Sequence, residues 1–271
     1  MDKLTLDKKN LYLDYIMQQL KNLLSIDSPS GFTEHVTDYL LEEYTRLGYQ
    51  PEKTKKGGVL VTLGGSRDAV LTMAHVDTLG AMVAEIKDNG RLRLTKVGGL
   101  NANNVEAENC RVYTLDGKVY EGTVQLADAS VHVNGEYQKT ERTFDSVEVL
   151  LDADVSSKDD VKELGIANGS FVCLDPRTCI TESGYIKSRF LDDKLSTAIL
   201  LGYAKYVKEE GICLQRKVYQ HITVFEETGH GACASVPSDV EELTSVDMGC
   251  VGNGLECTER QVSICVKDSA G

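Results

Sequence analysis

The stretch Ala69–Asp77, AVLTMAHVD, fixes the first layer of the architecture. Residues 69–74 form a short apolar run with the length and composition of a buried strand. The run ends on His75-Val76-Asp77, which places an imidazole and a carboxylate one residue apart. Just upstream, GVLVTL from Gly58 reads as a second core strand. Further upstream, Leu13, Ile16, Met17, Leu20 and Leu24 recur at helical spacing over residues 10–26, and SPSG at Ser28–Gly31 breaks that helix. Val36, Leu40, Tyr44 and Leu47 then predict a second helix, stopped by Gly48. Helices followed by short buried strands predict an α/β layer.

Downstream the texture changes. From about Met82 to Asp175 the chain shows short alternating segments joined by turn signals. Asp88-Asn89-Gly90 separates VAEI from RLRL, and Asp116-Gly117 separates RVYTL from KVYEG. Both read as β-hairpins. One charged helical piece, SSKDDVKELG, interrupts this region. From Leu195 the α/β pattern returns as a helix through LSTAILLGYAKYVKEEG, a strand through VYQHITVF and a shorter one through LTSV. The expected organisation is an α/β domain of residues 1–78 and 176–271, carrying a β-rich domain inserted over 79–175, a span too long for a plain loop. There is no internal repeat.

Composition narrows the class. The chain has 271 residues, 41% hydrophobic and 26% charged, with net charge −13, a sign that argues against nucleic acid as a partner. No apolar run approaches the roughly 18–20 residues needed to cross a bilayer, so no membrane partner is expected. The opening MDKLTLDKKN shows no secretory pattern. The eight cysteines form no C-x-x-C pair, and Cys173 in SFVCLD and Cys265 in VSICV sit in apolar runs as small hydrophobes. A reduced, cytoplasmic protein is expected.

Four clusters carry chemistry: His75 with Asp77, Asp192-Asp193 opening a helix, Glu226-Glu227 after VYQHITVF, and Asp247 after LTSV. Each alone has a commonplace explanation, such as a helix cap or a solvated turn. Three of them, however, follow predicted strands, and in an open α/β sheet the carboxyl edge is where ligands bind. One imidazole and several carboxylates at one edge suit a pair of divalent ions, with zinc, cobalt or manganese all compatible. Two such ions polarise a carbonyl and activate water, and a spare carboxylate can take the proton. The residues by themselves reach a metal-assisted hydrolase.

MAHVDTLGAMV, RFLDDKLSTA, FEETGHGA and SVDMG, in that order, resemble the cocatalytic metallo-aminopeptidases that assemble as hollow tetrahedral dodecamers, a family including glutamyl aminopeptidases and proteins once labelled endoglucanase M. The resemblance covers essentially the whole chain. It implies a mixed-sheet metallopeptidase domain with an inserted β-rich dimerisation domain. By position it implies His75 and Asp247 on one metal, Asp192 bridging two, Glu227 on the second, Glu226 as general base and Asp77 orienting the His75 ring. It implies short peptides as substrates, two divalent metal ions as cofactors, and a homo-oligomer built from dimers.

The chain departs from that family at Lys194 and Ser196, where Arg and Gly are usual, and at Thr228, where Val is usual. The family's second metal also takes a later His, and no His follows His230 here. The ending KDSAG therefore reads as a truncated chain with an incomplete second metal site. Three competing readings are a zinc carboxypeptidase or deacylase of related architecture, an inactive subunit that only assembles, and a glycoside hydrolase. The insertion between His75 and Asp192 favours the aminopeptidase over the first, since in that sister group the extra domain follows the glutamate pair. The intact site residues argue against the second, and the absence of Trp against the third. Of the other histidines, His221 within a strand reads as a satisfied structural residue, and His230 reads first as an ordinary loop residue, with reach to the site as the alternative.

Overall fold

Apolar periodicity sets the element boundaries in the computed structural model, which describes residues 5–265. The chain begins with α1 (Leu6–Leu24), α2 (Glu34–Arg46), β1 (Glu52–Lys53), β2 (Val59–Gly64) and β3 (Arg67–His75). It continues through β4 (Gly80–Ile86), β5 (Leu92–Val97), β6 (Asn109–Tyr113), β7 (Val119–Leu126) and β8 (Val147–Leu151). Next come α3 (Lys158–Glu163), β9 (Phe171–Leu174), β10 (Cys179–Ile180) and β11 (Ile186–Lys187). The last are α4 (Leu191–Glu209), β12 (Arg216–Thr223) and β13 (Val240–Ser245).

These elements form two units. The first comprises Met1–Ile26, Val36–Val76 and Leu191–Gly271. Its sheet has the order β1-β2-β12-β3-β13, antiparallel from β1 through β12 and parallel across β12, β3 and β13. This mixed α/β sheet is the expected fold class. Leu20, Leu23 and Leu24 of α1, Val36, Leu40 and Tyr44 of α2, and Ala198, Leu201 and Ala204 of α4 are buried. Each buried Leu or Val stabilises the unit by about 1.5–3 kcal/mol relative to exposure. Leu13 lies on the exposed side of α1; the buried stripe is shifted one residue and starts at Tyr12. The helices also reach β12 through polar contacts, because Tyr44 Oη donates to Gln220 Oε1 at 2.9 Å and Gln220 Nε2 donates to Leu200 O at 2.9 Å. At Gly202 the helices α1 and α4 touch backbone to side chain: a Cβ there would lie 2.3 Å from Ile16 Cγ1.

The second unit comprises Asp27–His35 and Asp77–Phe190. Its core is a closed barrel in the order β4-β5-β8-β7-β6-β9, antiparallel throughout. Closure removes exposed strand edges. Val83, Leu92, Leu94, Val112, Val124, Val149, Val172 and Leu174 fill its interior. The hairpins β4-β5 and β6-β7 turn at the Asp-Asn-Gly and Asp-Gly signals, with Gly90 and Gly117 at φ +78° and +83°. The charged helical piece is α3, closed at its start by a capping box of Ser157 and Asp160.

This unit is wider than the 79–175 span expected from the sequence. It takes in Asp27–His35, Asp77–Thr78 and residues 176–190, all of which the sequence places in the first domain. The physical reason is a set of contacts with no periodic signature. Arg111 holds Asp27 through Nε at 2.6 Å and Nη2 at 2.7 Å, and Thr78 N donates to Ser28 O at 2.9 Å. Pro29 forms a parallel bridge with Thr78, and Phe32 packs on Tyr113 and Phe171.

Among the described residues no helix is long and apolar enough to cross a membrane. All eight cysteines are free, with Cys110 and Cys173 buried. Cys265 is exposed, contrary to its apolar context, because residues 246–265 form no helix or strand that could bury it. The expectation of a truncated ending at Lys267–Gly271 lies outside the described residues.

Candidate metal centre

Parallel register brings the clusters together. β12, β3 and β13 run side by side in the same direction, so their carboxyl ends meet at one edge of the first unit. His75 is the last residue of β3, and Glu226 opens a 3-10 turn, Glu226–Thr228, just beyond β12. Asp247 lies two residues past β13. Two backbone bonds fix the ends of these strands relative to one another: Val76 N donates to Thr223 O at 3.0 Å, and Val246 N donates to Met73 O at 2.8 Å.

Asp192 arrives from α4. Asp192 (φ −77°, ψ 107°) and Asp193 (φ −124°, ψ 30°) are non-helical, so the regular helix starts after the pair. His75 Nε2 lies 3.1 Å from Asp192 Oδ1, 3.5 Å from Glu226 Oε2 and 3.9 Å from Asp247 Oδ2. One ligand atom each from His75, Asp192 and Asp247 lies within 4.8 Å of the others. Donors on one tetrahedral zinc, at bonds of about 2.0–2.2 Å, sit roughly 3.3 Å apart, so this trio fits a divalent ion in spacing and in chemistry. Glu226 stands beside the trio, and Glu227 follows it, half-buried, in the same turn.

Several groups that the sequence leaves anonymous support this arrangement. Asp193 is buried and its Oδ2 accepts the His75 backbone N–H at 3.3 Å, while Thr197 Oγ1 donates to His75 O at 3.0 Å. The His75 backbone is thus gripped at both polar groups from the start of α4. Burial pushes the Asp193 carboxyl up to about 7; the Ser196 hydroxyl opposes this, the Asp247 charge adds to it, and His75 lowers it. Ser196, one of the family departures, therefore hydrogen-bonds the second Asp of the pair. Lys194, the other, is fully buried, and its Nζ donates to Leu23 O at 2.9 Å and Ile26 O at 2.6 Å, at the carboxyl end of α1. A cation there also complements the helix dipole. In the second unit, Asp77 is fully buried and its Oδ2 accepts from Ser30 Oγ at 2.5 Å.

His230 is engaged elsewhere. Lys56 Nζ lies 3.2 Å from His230 Nδ1, and an ammonium only donates, so Nδ1 accepts. Nε2 then carries the hydrogen and faces Thr228 Oγ1 at 3.5 Å. His221 corrects a sequence expectation. It is buried, but its Nδ1 has no hydrogen-bond partner among the described residues.

Burial, with a smaller contribution from the Lys56 cation, pulls the His221 pKa down to about 4. Below about 6.5 the unfolded chain binds a proton here that the folded chain refuses until pH 4. Stability is therefore full above pH 6.5 and declines as pH falls to 4, by about 3 kcal/mol from this residue. In guanidinium melts at pH 7 and 4.5, His221→Leu should shrink the stability difference between the two pH values by about 2–3 kcal/mol. An unchanged difference would refute the assignment.

Residues 57–271 match the M42 glutamyl aminopeptidase family over most of the chain. The chain belongs to that family. It is 43% identical over 258 residues to YhfE of Bacillus subtilis (strain 168), provisionally named an aminopeptidase, covering 94% of this chain and 74% of the relative. It is 26% identical to the glutamyl aminopeptidase of Lactococcus lactis subsp. cremoris (strain MG1363), covering 72% of this chain and 56% of the relative. Among solved structures it resembles the Pyrococcus horikoshii TET1 peptidase, which can assemble into a tetrahedron or a large octahedral shell. That match has TM-score 0.75 and 25% identity, covering 86% of this chain and 68% of the other. The chain thus spans between about half and three quarters of the length of these relatives. The M42 match includes His75, Asp192, Glu226, Glu227 and Asp247 within its bounds.

Proposed function

We propose that this M42 member is a dinuclear metal-dependent aminopeptidase acting on short peptides. The observation that carries the reading is the convergence of His75, Asp192 and Asp247 within 4.8 Å, inside a chain of an aminopeptidase family. His75, Asp192 and Asp247 would hold the first ion; Asp192 and Glu227 would contribute to the second, whose further imidazole ligand in that family has no counterpart after His230. Zinc or cobalt suits this imidazole–carboxylate set, and manganese is compatible. When bound, the ions supply polarisation of the scissile carbonyl, activation of water and neutralisation of the developing negative charge.

The chain's own residues do the rest. Glu226 accepts a proton from the attacking water as the C–O bond forms, and returns it to the amine nitrogen as the C–N bond breaks. Its carboxylate, 3.5 Å from His75 Nε2, lies within reach of a water held at the trio. Asp193 and Thr197 keep the His75 backbone in place. Asp77, whose own orientation is fixed by Ser30, is assigned to orient the His75 ring. The β-barrel unit is assigned to dimerisation, with dimers building to a dodecamer; the assembly of the TET1 peptidase into a tetrahedron or a large octahedral shell supports a homo-oligomer. A cytoplasmic location agrees with eight free cysteines.

Hydrolysis of aminoacyl p-nitroanilides tests the reading. Activity should require added zinc or cobalt, vanish on chelation, and be absent with N-acetylated analogues, which lack the free amine. Equal turnover of the acetylated substrates would contradict an aminopeptidase.

A further inference from the structure

We infer that Lys56 is a positioning residue that clamps the turn bearing Glu226 and Glu227; its consequence for turnover rests on the function proposed above. The turn is closed by bonds of its own. Gly229 N donates to Glu226 O at 2.7 Å, His230 N to Phe225 O at 3.1 Å, and Thr228 Oγ1 to Phe225 O at 3.2 Å. Gly229 closes it at φ +83°, a conformation natural to glycine. Three further contacts come from one side chain outside the turn. Lys56 Nζ donates to the His230 carbonyl and to His230 Nδ1, and lies 5.5 Å from the centroid of the Phe225 ring. His230 in turn stacks on Phe225, with centroids 5.3 Å apart and planes 22° apart. Lys56 therefore ties the residue before the two glutamates to the residue just past the end of their turn.

Its reach is preset by its own loop. Thr54 N donates to Gly58 O at 2.8 Å, Gly57 N to Thr54 O at 2.9 Å, and Thr37 Oγ1 to Gly57 O at 2.8 Å. Gly57 is at φ +95°, and a Cβ on Gly58 would come within 2.5 Å of Ile222 O. Only glycine lets this loop lie directly on β12, four residues before Glu226. The lysine is thus delivered from a hydrogen-bonded turn onto the turn that carries the two glutamates, which is how a small misplacement of a reacting group is prevented.

The test compares wild type, Lys56→Met and Lys56→Arg. Amide hydrogen exchange over residues 225–231 of the metal-free protein is expected to be at least about tenfold faster in Lys56→Met and near wild type in Lys56→Arg. With metal added, kcat should fall roughly 10–100-fold in Lys56→Met with KM little changed, and Lys56→Arg should recover most of it. Unchanged exchange in Lys56→Met overturns the clamp. Faster exchange with wild-type kcat overturns its role in positioning. If wild type itself shows no metal-dependent turnover, the function reading fails, while the exchange result still decides the clamp.

Discussion

Glu226→Gln should lower turnover by about 10²–10⁴-fold while leaving bound metal close to the wild-type amount. The amide keeps the shape of the side chain and its place in the turn after β12, but it cannot accept a proton. In the proposed mechanism that proton comes from the attacking water, so the loss should fall on kcat, and KM should move little. The geometry makes this a discriminating experiment. Glu226 Oε2 is nearer to His75 Nε2, at 3.5 Å, than Asp247 Oδ2 is, at 3.9 Å. Proximity alone would let Glu226 serve as a ligand. Metal analysis of purified Glu226→Gln separates the two roles: loss of an ion along with activity would exchange Glu226 with Glu227.

Asp192→Asn carries the other large effect. Asp192 Oδ1 lies 3.1 Å from His75 Nε2, and Asp192 is assigned to both ions. Replacing it removes a negative oxygen ligand from each site, which should cost more than the roughly 10–100-fold in affinity typical of disturbing an outer partner of a ligand. The readout need not be catalytic. At about 100 times its dissociation constant a metal stabilises the fold by roughly 2.7 kcal/mol, enough to raise Tm by about 5–10 °C in a protein of this size. Wild type should show that rise on zinc addition and Asp192→Asn should not. A variant stabilised as strongly as wild type would remove Asp192 from the centre.

Much of this arrangement is legible in the sequence, and the legible parts share a physical cause. β3 and β12 are short runs rich in apolar residues that stop at His75 and shortly before Glu226, so the chemistry begins where the apolar pattern ends. The hairpins of the barrel announce themselves because Asp-Asn-Gly and Asp-Gly turns favour the positive φ taken by Gly90 and Gly117. Asp247 is harder to read, since a lone Asp after a short run has no pattern. It gains meaning from the parallel pairing of β13 with β3.

The illegible parts depend on contacts between distant residues. Nothing periodic joins Asp27–His35 to the barrel; a salt bridge from Arg111 and a single bridge at Thr78 do. Lys56 reads as one more charge in TKKGG until its ammonium is found on His230. Lys194 is legible in the sequence only as a departure from the family's Arg, yet it is among the most deeply buried side chains and caps α1. A weak signal for Asp193 and its neighbours was present, because an acidic pair followed by Ser196 and Thr197 offers hydroxyls one turn into a helix.

The most direct measurement is anomalous diffraction from crystals of this chain soaked in zinc. The proposed centre requires a peak bonded to His75 Nε2 and to carboxylate oxygens of Asp192 and Asp247, at about 2.0–2.2 Å from each. Full occupancy of zinc elsewhere with no peak among these three residues would contradict it.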